Sequence, residues 1–172
     1  MFWIIVLSSL YFFLPAYIAN LVPVLFKWLP FLKIPVWEKK LGKNKTWRGV
    51  VIATLSGGLV FWLQKVAYLK GFTSLAIIEY SGFSILLGFL MGFGAIFGDL
   101  VESYYKRKIG IAPGQPWIPF DQLDFVIGAL ALSFFVYVPK ANIVLVLFVV
   151  SPLIHIVFNR LGYWLKINKG KW

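Results

Sequence analysis

The stretch Gly88-Phe-Leu-Met-Gly-Phe-Gly-Ala-Ile-Phe-Gly-Asp-Leu-Val-Glu-Ser-Tyr-Tyr-Lys-Arg-Lys108 is uncharged as far as Gly98 and then carries Asp99, Glu102, Lys106, Arg107 and Lys108 in close succession. Extended upstream to about Ser81, the uncharged part supplies the roughly 20 apolar residues that a bilayer-crossing helix needs. The charges mark the place where that helix leaves hydrocarbon. Gly88 and Gly92, and again Gly94 and Gly98, have the small-xxx-small spacing that lets helices approach closely, which would hold Asp99 rigidly. On a helix that continues past Asp99, residues Asp99, Glu102, Ser103 and Lys106 follow the i, i+3, i+4, i+7 pattern and share one face.

The same reading extends to the rest of the chain. Of 172 residues 60% are hydrophobic and only 13% charged, against roughly a quarter charged in soluble domains. Besides the central span, uncharged or nearly uncharged runs cover Met1 to Phe26, Gly49 to Leu69, Leu123 to the residue before Pro139, and Ala141 to Leu161. The first run lacks a basic start and a small-residue cleavage site, so it is expected to be a helix and not a signal peptide. Pro15, Asn20 and Pro23 interrupt it, which predicts a kink packed against neighbours. The fold expected is an all-α polytopic membrane bundle of about five transmembrane helices, forming one integral membrane domain over residues 1–172.

Net charge is +11, yet a nucleic-acid binder would not spend most of its length on apolar runs. The basic residues instead orient the chain. Lys27, Lys33, Lys39, Lys40, Lys43, Lys45 and Arg48 fall in the first loop and its flank, Lys106, Arg107 and Lys108 in the third, and Arg160, Lys166, Lys169 and Lys171 in the tail. Only Lys65, Lys70 and Lys140 lie at the opposite ends of the spans. The positive-inside bias then puts the N-terminus outside and the C-terminus in the cytoplasm, with cytoplasmic loops at about 30–48 and 103–121. Cysteine is absent, which excludes disulfides, thiolate metal sites and a Cys nucleophile, and a single His argues against zinc.

Six acidic residues are present, and Asp99, Glu102, Asp121 and Asp124 all bracket the third loop. Asp121 and Asp124 are three apart, so one helical turn aims both in the same direction. Interfacial acids can simply neutralise Lys106, Arg107 and Lys108. Two carboxylate clusters at adjoining helix ends also suit Mg²⁺, which takes a few carboxylates and leaves positions for water and phosphate. The connecting stretch Ile109-Gly-Ile-Ala-Pro-Gly-Gln-Pro-Trp-Ile-Pro-Phe120 cannot be a regular helix. Pro113-Gly114 can turn backbone N–H groups toward an anion, and Gln115 offers an amide to a base or sugar. In the first loop, Lys43, Asn44, Thr46 and Arg48 bring hydrogen-bonding groups beyond what orientation requires, although the glycines of a Walker loop are missing. His155 and Arg160 in the last span read as an interior bonded residue and a cavity-facing or snorkelling cation.

Gly98-Asp99-Leu100-Val101-Glu102-Ser103-Tyr104-Tyr105-Lys106-Arg107, then Pro113-Gly114, then Asp121-Gln122-Leu123-Asp124, resembles the signature of the cytidylyltransferases of the CDP-diacylglycerol synthase superfamily. The short chain, the five-span layout and Lys45-Thr46-Trp47-Arg48-Gly49 are most similar to its archaeal branch, the CDP-archaeol synthases. The bacterial pattern carries a further Lys-Asp pair after Lys-Arg and an Arg inside Asp-Arg-x-Asp, where this chain has apolar residues and Gln122. The resemblance implies that the phosphate of an unsaturated diether glycerol lipid (2,3-di-O-geranylgeranylglyceryl phosphate) attacks the α-phosphorus of CTP, giving a CDP-activated lipid and pyrophosphate at the cytoplasmic face of the cell membrane. It further implies Asp99, Asp121 and Asp124 as Mg²⁺ ligands, Lys106 and Arg107 on triphosphate or lipid phosphate with Ser103 in support, and Lys43, Asn44, Thr46 and Arg48 on CTP. Glu102 either ligates the metal or pairs with Arg107.

The competing reading is an ion or proton-coupled membrane transporter, which would string polar residues through the depth of several spans. A non-catalytic adaptor with a basic face for anionic lipid would leave the acidic clusters without a role.

Overall fold

The computed structural model describes residues 2–112 and 115–164; the expected Pro113-Gly114 turn and the tail residues Lys166, Lys169 and Lys171 lie outside the described residues. Among the described residues six α-helices are formed: α1 (Phe2–Leu25), the short α2 (Glu38–Leu41), α3 (Trp47–Leu69), α4 (Leu86–Lys108), α5 (Phe120–Ser133) and α6 (Ala141–Trp164). A 3₁₀ turn, Tyr80–Gly82, precedes α4. Among the described residues the only extended pairing is an isolated antiparallel bridge between Pro35 and Thr46 in the first loop.

Helices α1, α3, α4 and α6 are each long and apolar enough to cross a membrane. α5, expected as the fourth span, has 14 residues and rises about 21 Å, short of the roughly 30 Å hydrocarbon thickness. It starts three residues earlier than the sequence suggested, because the backbone N–H groups of Asp121 and Gln122 bond back to Trp117 and Pro119. It ends at Ser133, after which turn bonds from Val136 and Tyr137 to the Ser133 carbonyl replace the helical ladder. Pro139 keeps the residue before it out of helical geometry. α1 runs unbroken through Pro15 and Pro23, and Pro15 is fully buried in the core.

α4 is the central element, packed against α1, α3 and α5. Its glycines explain how. Gly92 and Gly94 are two positions apart and so lie about 200° apart around the helix. Each glycine pair therefore seats a different partner. A Cβ on Gly57 of α3 would stand 2.5 Å from the Gly88 carbonyl oxygen and 2.7 Å from the Gly92 Cα, while a Cβ on Gly94 would stand 2.5 Å from the carbonyl oxygen of Gly128 in α5. A Cβ on Gly98 would overlap the Asp124 carbonyl oxygen outright. Between these backbone contacts the core is filled by Phe12, Phe13, Phe61, Leu87, Met91, Phe125 and Leu147. Tyr80 closes it beside Tyr11, Phe61 and Tyr68.

The outward faces are also apolar. Trp3, Leu55, Leu59, Leu145, Val149 and Leu153 are all exposed, a distribution that suits lipid and not water.

Gly128→Ala is expected to lower the thermal midpoint of the detergent-purified protein, by an overpacking cost of about 1–3 kcal/mol. Gly82→Ala, whose Cβ would meet nothing within 4 Å, is expected to leave it unchanged. A thermal-shift series on the two variants checks this.

Candidate functional site

The backbone contact of Gly98 with Asp124 brings the charged end of α4 against the first turns of α5. Asp99 and Glu102 lie just beyond that contact on α4, and Asp124 lies at it on α5. One carboxylate oxygen from each of Asp99, Glu102 and Asp124 falls within 4.8 Å of the others. Oxygens on opposite sides of an octahedral Mg²⁺ are about 4.2 Å apart. Three ligands of one octahedral ion include at least two adjacent pairs about 3 Å apart, so the trio would close in to hold one. Its hard, anionic oxygen donors suit Mg²⁺, and Glu102 is buried with its Oε1 accepting no hydrogen bond. The residues present therefore fit the group.

Asp121 stands beside this trio, with its own partners. Its Oδ1 accepts from Lys106 Nζ at 2.7 Å and its Oδ2 from the Trp117 N–H at 2.6 Å. Lys106 Nζ is also 3.2 Å from Glu102 Oε1. One lysine thus ties α4 to the loop end of α5. Ser103 Oγ donates to Glu102 Oε2 at 3.4 Å, a long bond. Arg107 donates to the Ile111 carbonyl and braces the start of the third loop.

The first loop reaches the trio through Lys45. Its Nζ donates to both carboxylate oxygens of Asp99, at 2.6 Å each. Burial opposes a charge there, yet the Asp99 carboxylate, with Asp124 and Glu102 behind it, holds the ammonium above its ordinary pKa. The loop is fixed on either side of this lysine: Val36 N–H bonds to the Lys45 carbonyl at 2.8 Å, Trp47 N–H to the Ile34 carbonyl at 3.1 Å, and the Thr46 hydroxyl caps α3 by accepting from the Gly49 N–H at 3.3 Å. Arg48 is buried, and its guanidinium donates to the Leu29 carbonyl at 2.6 Å. Lys43 and Asn44 are exposed, Lys43 lying 3.8 Å from Glu38. Gln115 is exposed on the third loop.

Thus Asp99, Glu102, Asp124 and Lys45 converge, with Asp121, Lys106 and Ser103 adjoining, while Arg48 and Thr46 are engaged in building the first loop. The part played by Lys45 is not visible from spacing, since it is one of seven cations in that region. The available signal is its position directly before the Thr46 cap, which denies it the freedom of its neighbours. A cavity of about 420 Å³ opens beside the trio, with Glu102 and Asp124 at one edge and Phe97, Val101, Phe120, Ile127 and Leu132 along its walls.

Comparison with known proteins shows the family of the chain. The pattern defining the CarS-like CDP-archaeol synthase family matches residues 1–172. The CDP-archaeol synthase of Thermococcus onnurineus is 36% identical over 170 residues, covering 96% of both chains. That of Pyrococcus furiosus is 33% identical, covering 97% of this chain and 98% of its own. A solved structure of an intramembrane enzyme for archaeal membrane lipid biosynthesis superposes with a TM-score of 0.66 at 29% identity, covering 88% of this chain and 92% of that one. The full-length match, joined to carboxylates converging at one end of a helical bundle, leaves one conclusion: the chain belongs to the CDP-archaeol synthase family and is a nucleotidyltransferase of the cytidylyl-transferring class.

Proposed function

We propose that the protein transfers the cytidylyl group of CTP to the phosphate of an unsaturated isoprenoid diether glycerol lipid, with Mg²⁺, at the cytoplasmic face of the cell membrane. In this reading α5 with the turn after it completes a fifth crossing, the N-terminus is outside and the C-terminus is in the cytoplasm. The observation that carries the reading is the junction of the acidic trio with the apolar cavity. Phe97, Val101, Phe120 and Ile127 line that cavity and are also exposed on the outside of the bundle. A lipid tail can therefore enter sideways from the bilayer while its phosphate meets the carboxylates at the edge.

The reaction makes one P–O bond and breaks one. A lipid phosphate oxygen, already ionised near neutral pH, attacks the α-phosphorus of CTP; the bond to the β-phosphate breaks, and pyrophosphate leaves with the electron pair. No proton has to be removed, so positioning and electrostatics carry the catalysis. Asp99, Glu102 and Asp124 would hold Mg²⁺, with Asp121 at the border of that set, and the ion would offset the charge of the triphosphate. Lys106 donates to Asp121 and lies in ion-pair contact with Glu102, and its remaining N–H groups would serve a phosphate oxygen. Arg107 and Ser103 would support the phosphates from the same end of α4. Lys43, Asn44 and Gln115, exposed on the two loops, would contact the nucleotide. Arg48 and Thr46 shape the loop that presents them.

With purified protein, Mg²⁺, CTP and the diether glycerol phosphate, pyrophosphate release is expected to require the lipid; release without lipid, or none with it, contradicts the proposal. Asp124→Asn is expected to lower turnover by at least about a hundredfold with expression and detergent elution unchanged, whereas retained activity removes Asp124 from the metal site. Ala131→Phe, which narrows the cavity, is expected to raise the lipid KM by about tenfold and to leave the CTP KM within about twofold; equal effects on both substrates would place the lipid elsewhere.

A further inference from the structure

Lys45 occupies the cation position on Asp99, one of the three acids of the trio. Its Nζ is equidistant from both Asp99 oxygens, at 2.6 Å each. A Mg²⁺ on the same carboxylate would sit at about 2.0–2.1 Å from its oxygen, which leaves too little room for the ammonium. A Mg²⁺ on Asp99 therefore displaces the ammonium from at least one of the two oxygens it now holds. Lys106 is committed to Asp121 and Glu102. Asp99 pairs with Lys45, and Glu102 and Asp121 pair with Lys106. The backbone on either side of Lys45 is pinned by the bonds from Val36 and Trp47 and by the α3 cap. The side chain is not pinned: four carbon atoms separate the ammonium from a fixed backbone, so it can swing by several ångströms without moving the loop.

We infer that Lys45 is an internal counter-ion, holding the cation position of Asp99, Glu102 and Asp124 while the site is free of nucleotide and releasing it to a metal-bound triphosphate, whose phosphate oxygens then take the ammonium. This rests on the cytidylyltransferase reading above and gives Lys45 two successive partners in it, Asp99 and then the triphosphate. A metal arriving alone must break the Lys45–Asp99 pair and leave a partly buried ammonium without an anion, which is unfavourable. A metal arriving with a triphosphate supplies that anion. Metal and nucleotide therefore favour each other's binding through Lys45, and the coupling is reciprocal. Carboxylates that would otherwise attract any divalent cation are kept neutralised until the substrate is present.

The test is nucleotide-free Mn²⁺ binding to detergent-purified protein, followed by electron paramagnetic resonance. Lys45→Met is expected to bind Mn²⁺ about tenfold more tightly than the unmodified chain, equivalent to roughly 1.4 kcal/mol, although it turns over CTP more slowly. Lys45→Arg, which keeps the charge, is expected to retain the weak affinity. Unchanged or weaker Mn²⁺ binding in Lys45→Met overturns the inference, since a merely structural lysine would not suppress metal affinity. On the unmodified chain, amine acetylation read by mass spectrometry is expected to show Lys45 protected without metal and more reactive with saturating Mn²⁺ alone, while Lys43 does not change. Protection of Lys45 that persists under saturating Mn²⁺ also overturns it. Lipid-dependent pyrophosphate release by the unmodified chain separates the two ideas: turnover with no change in metal affinity on substitution refutes the Lys45 role and leaves the cytidylyltransferase reading standing.

Discussion

The contact on which the site depends is backbone against backbone, where Gly98 of α4 meets the Asp124 carbonyl of α5 and Gly128 of α5 meets Gly94 and Gly98. Side chains at these positions would hold the helices apart and separate Asp99 and Glu102 from Asp124. The second glycine face of α4, Gly88 and Gly92, fixes the same helix against α3. Since α3 begins at the Thr46 cap, this contact also sets the depth at which Lys45 meets Asp99. Two sets of absent side chains thus determine where three carboxylates and one ammonium converge.

Charge neutralisation determines the remainder. Carboxylates gathered near hydrocarbon are costly unless paired and hydrogen-bonded, and here every one has a specific partner. Lys45 serves Asp99, Lys106 serves Asp121 and Glu102, and the Phe125 N–H donates to Asp124 at 2.5 Å. The pairs come from different segments, so the ionic contacts also hold the first loop, α4 and α5 in register. A divalent ion with its triphosphate would exchange these partners without leaving charge uncompensated. On the opposite flank the cavity walls are apolar, as the proposed lipid substrate would require.

Much of this was legible in the sequence. The long apolar runs give the spanning helices, and the doubled small-xxx-small spacing gives close packing of α4. The i, i+3, i+4, i+7 pattern correctly extended α4 past Asp99 to Lys108. Three things were not legible. The length of α5 depends on turn bonds around Ser133 that an apolar run ending at a proline does not disclose. The partition of the acids depends on the rotation of α5 against α4: spacing grouped Asp121 with Asp124, whereas the contact at Gly98 turns Asp124 toward Asp99 and Glu102 and leaves Asp121 to Lys106. The contacts of the loop cations depend on tertiary reach: the Arg48 guanidinium donates to the Leu29 carbonyl, and Lys45, to which spacing gave no site role, lies on Asp99.

The most direct test of the central claim, that acids from two helices converge on one divalent ion, is anomalous diffraction from crystals soaked with Mn²⁺ and CTP. A single Mn²⁺ peak is predicted at about 2.1 Å from carboxylate oxygens contributed by both α4 and α5, Asp99 and Asp124 among them. A peak ligated from one helix alone, or none near these residues with CTP bound, would contradict it.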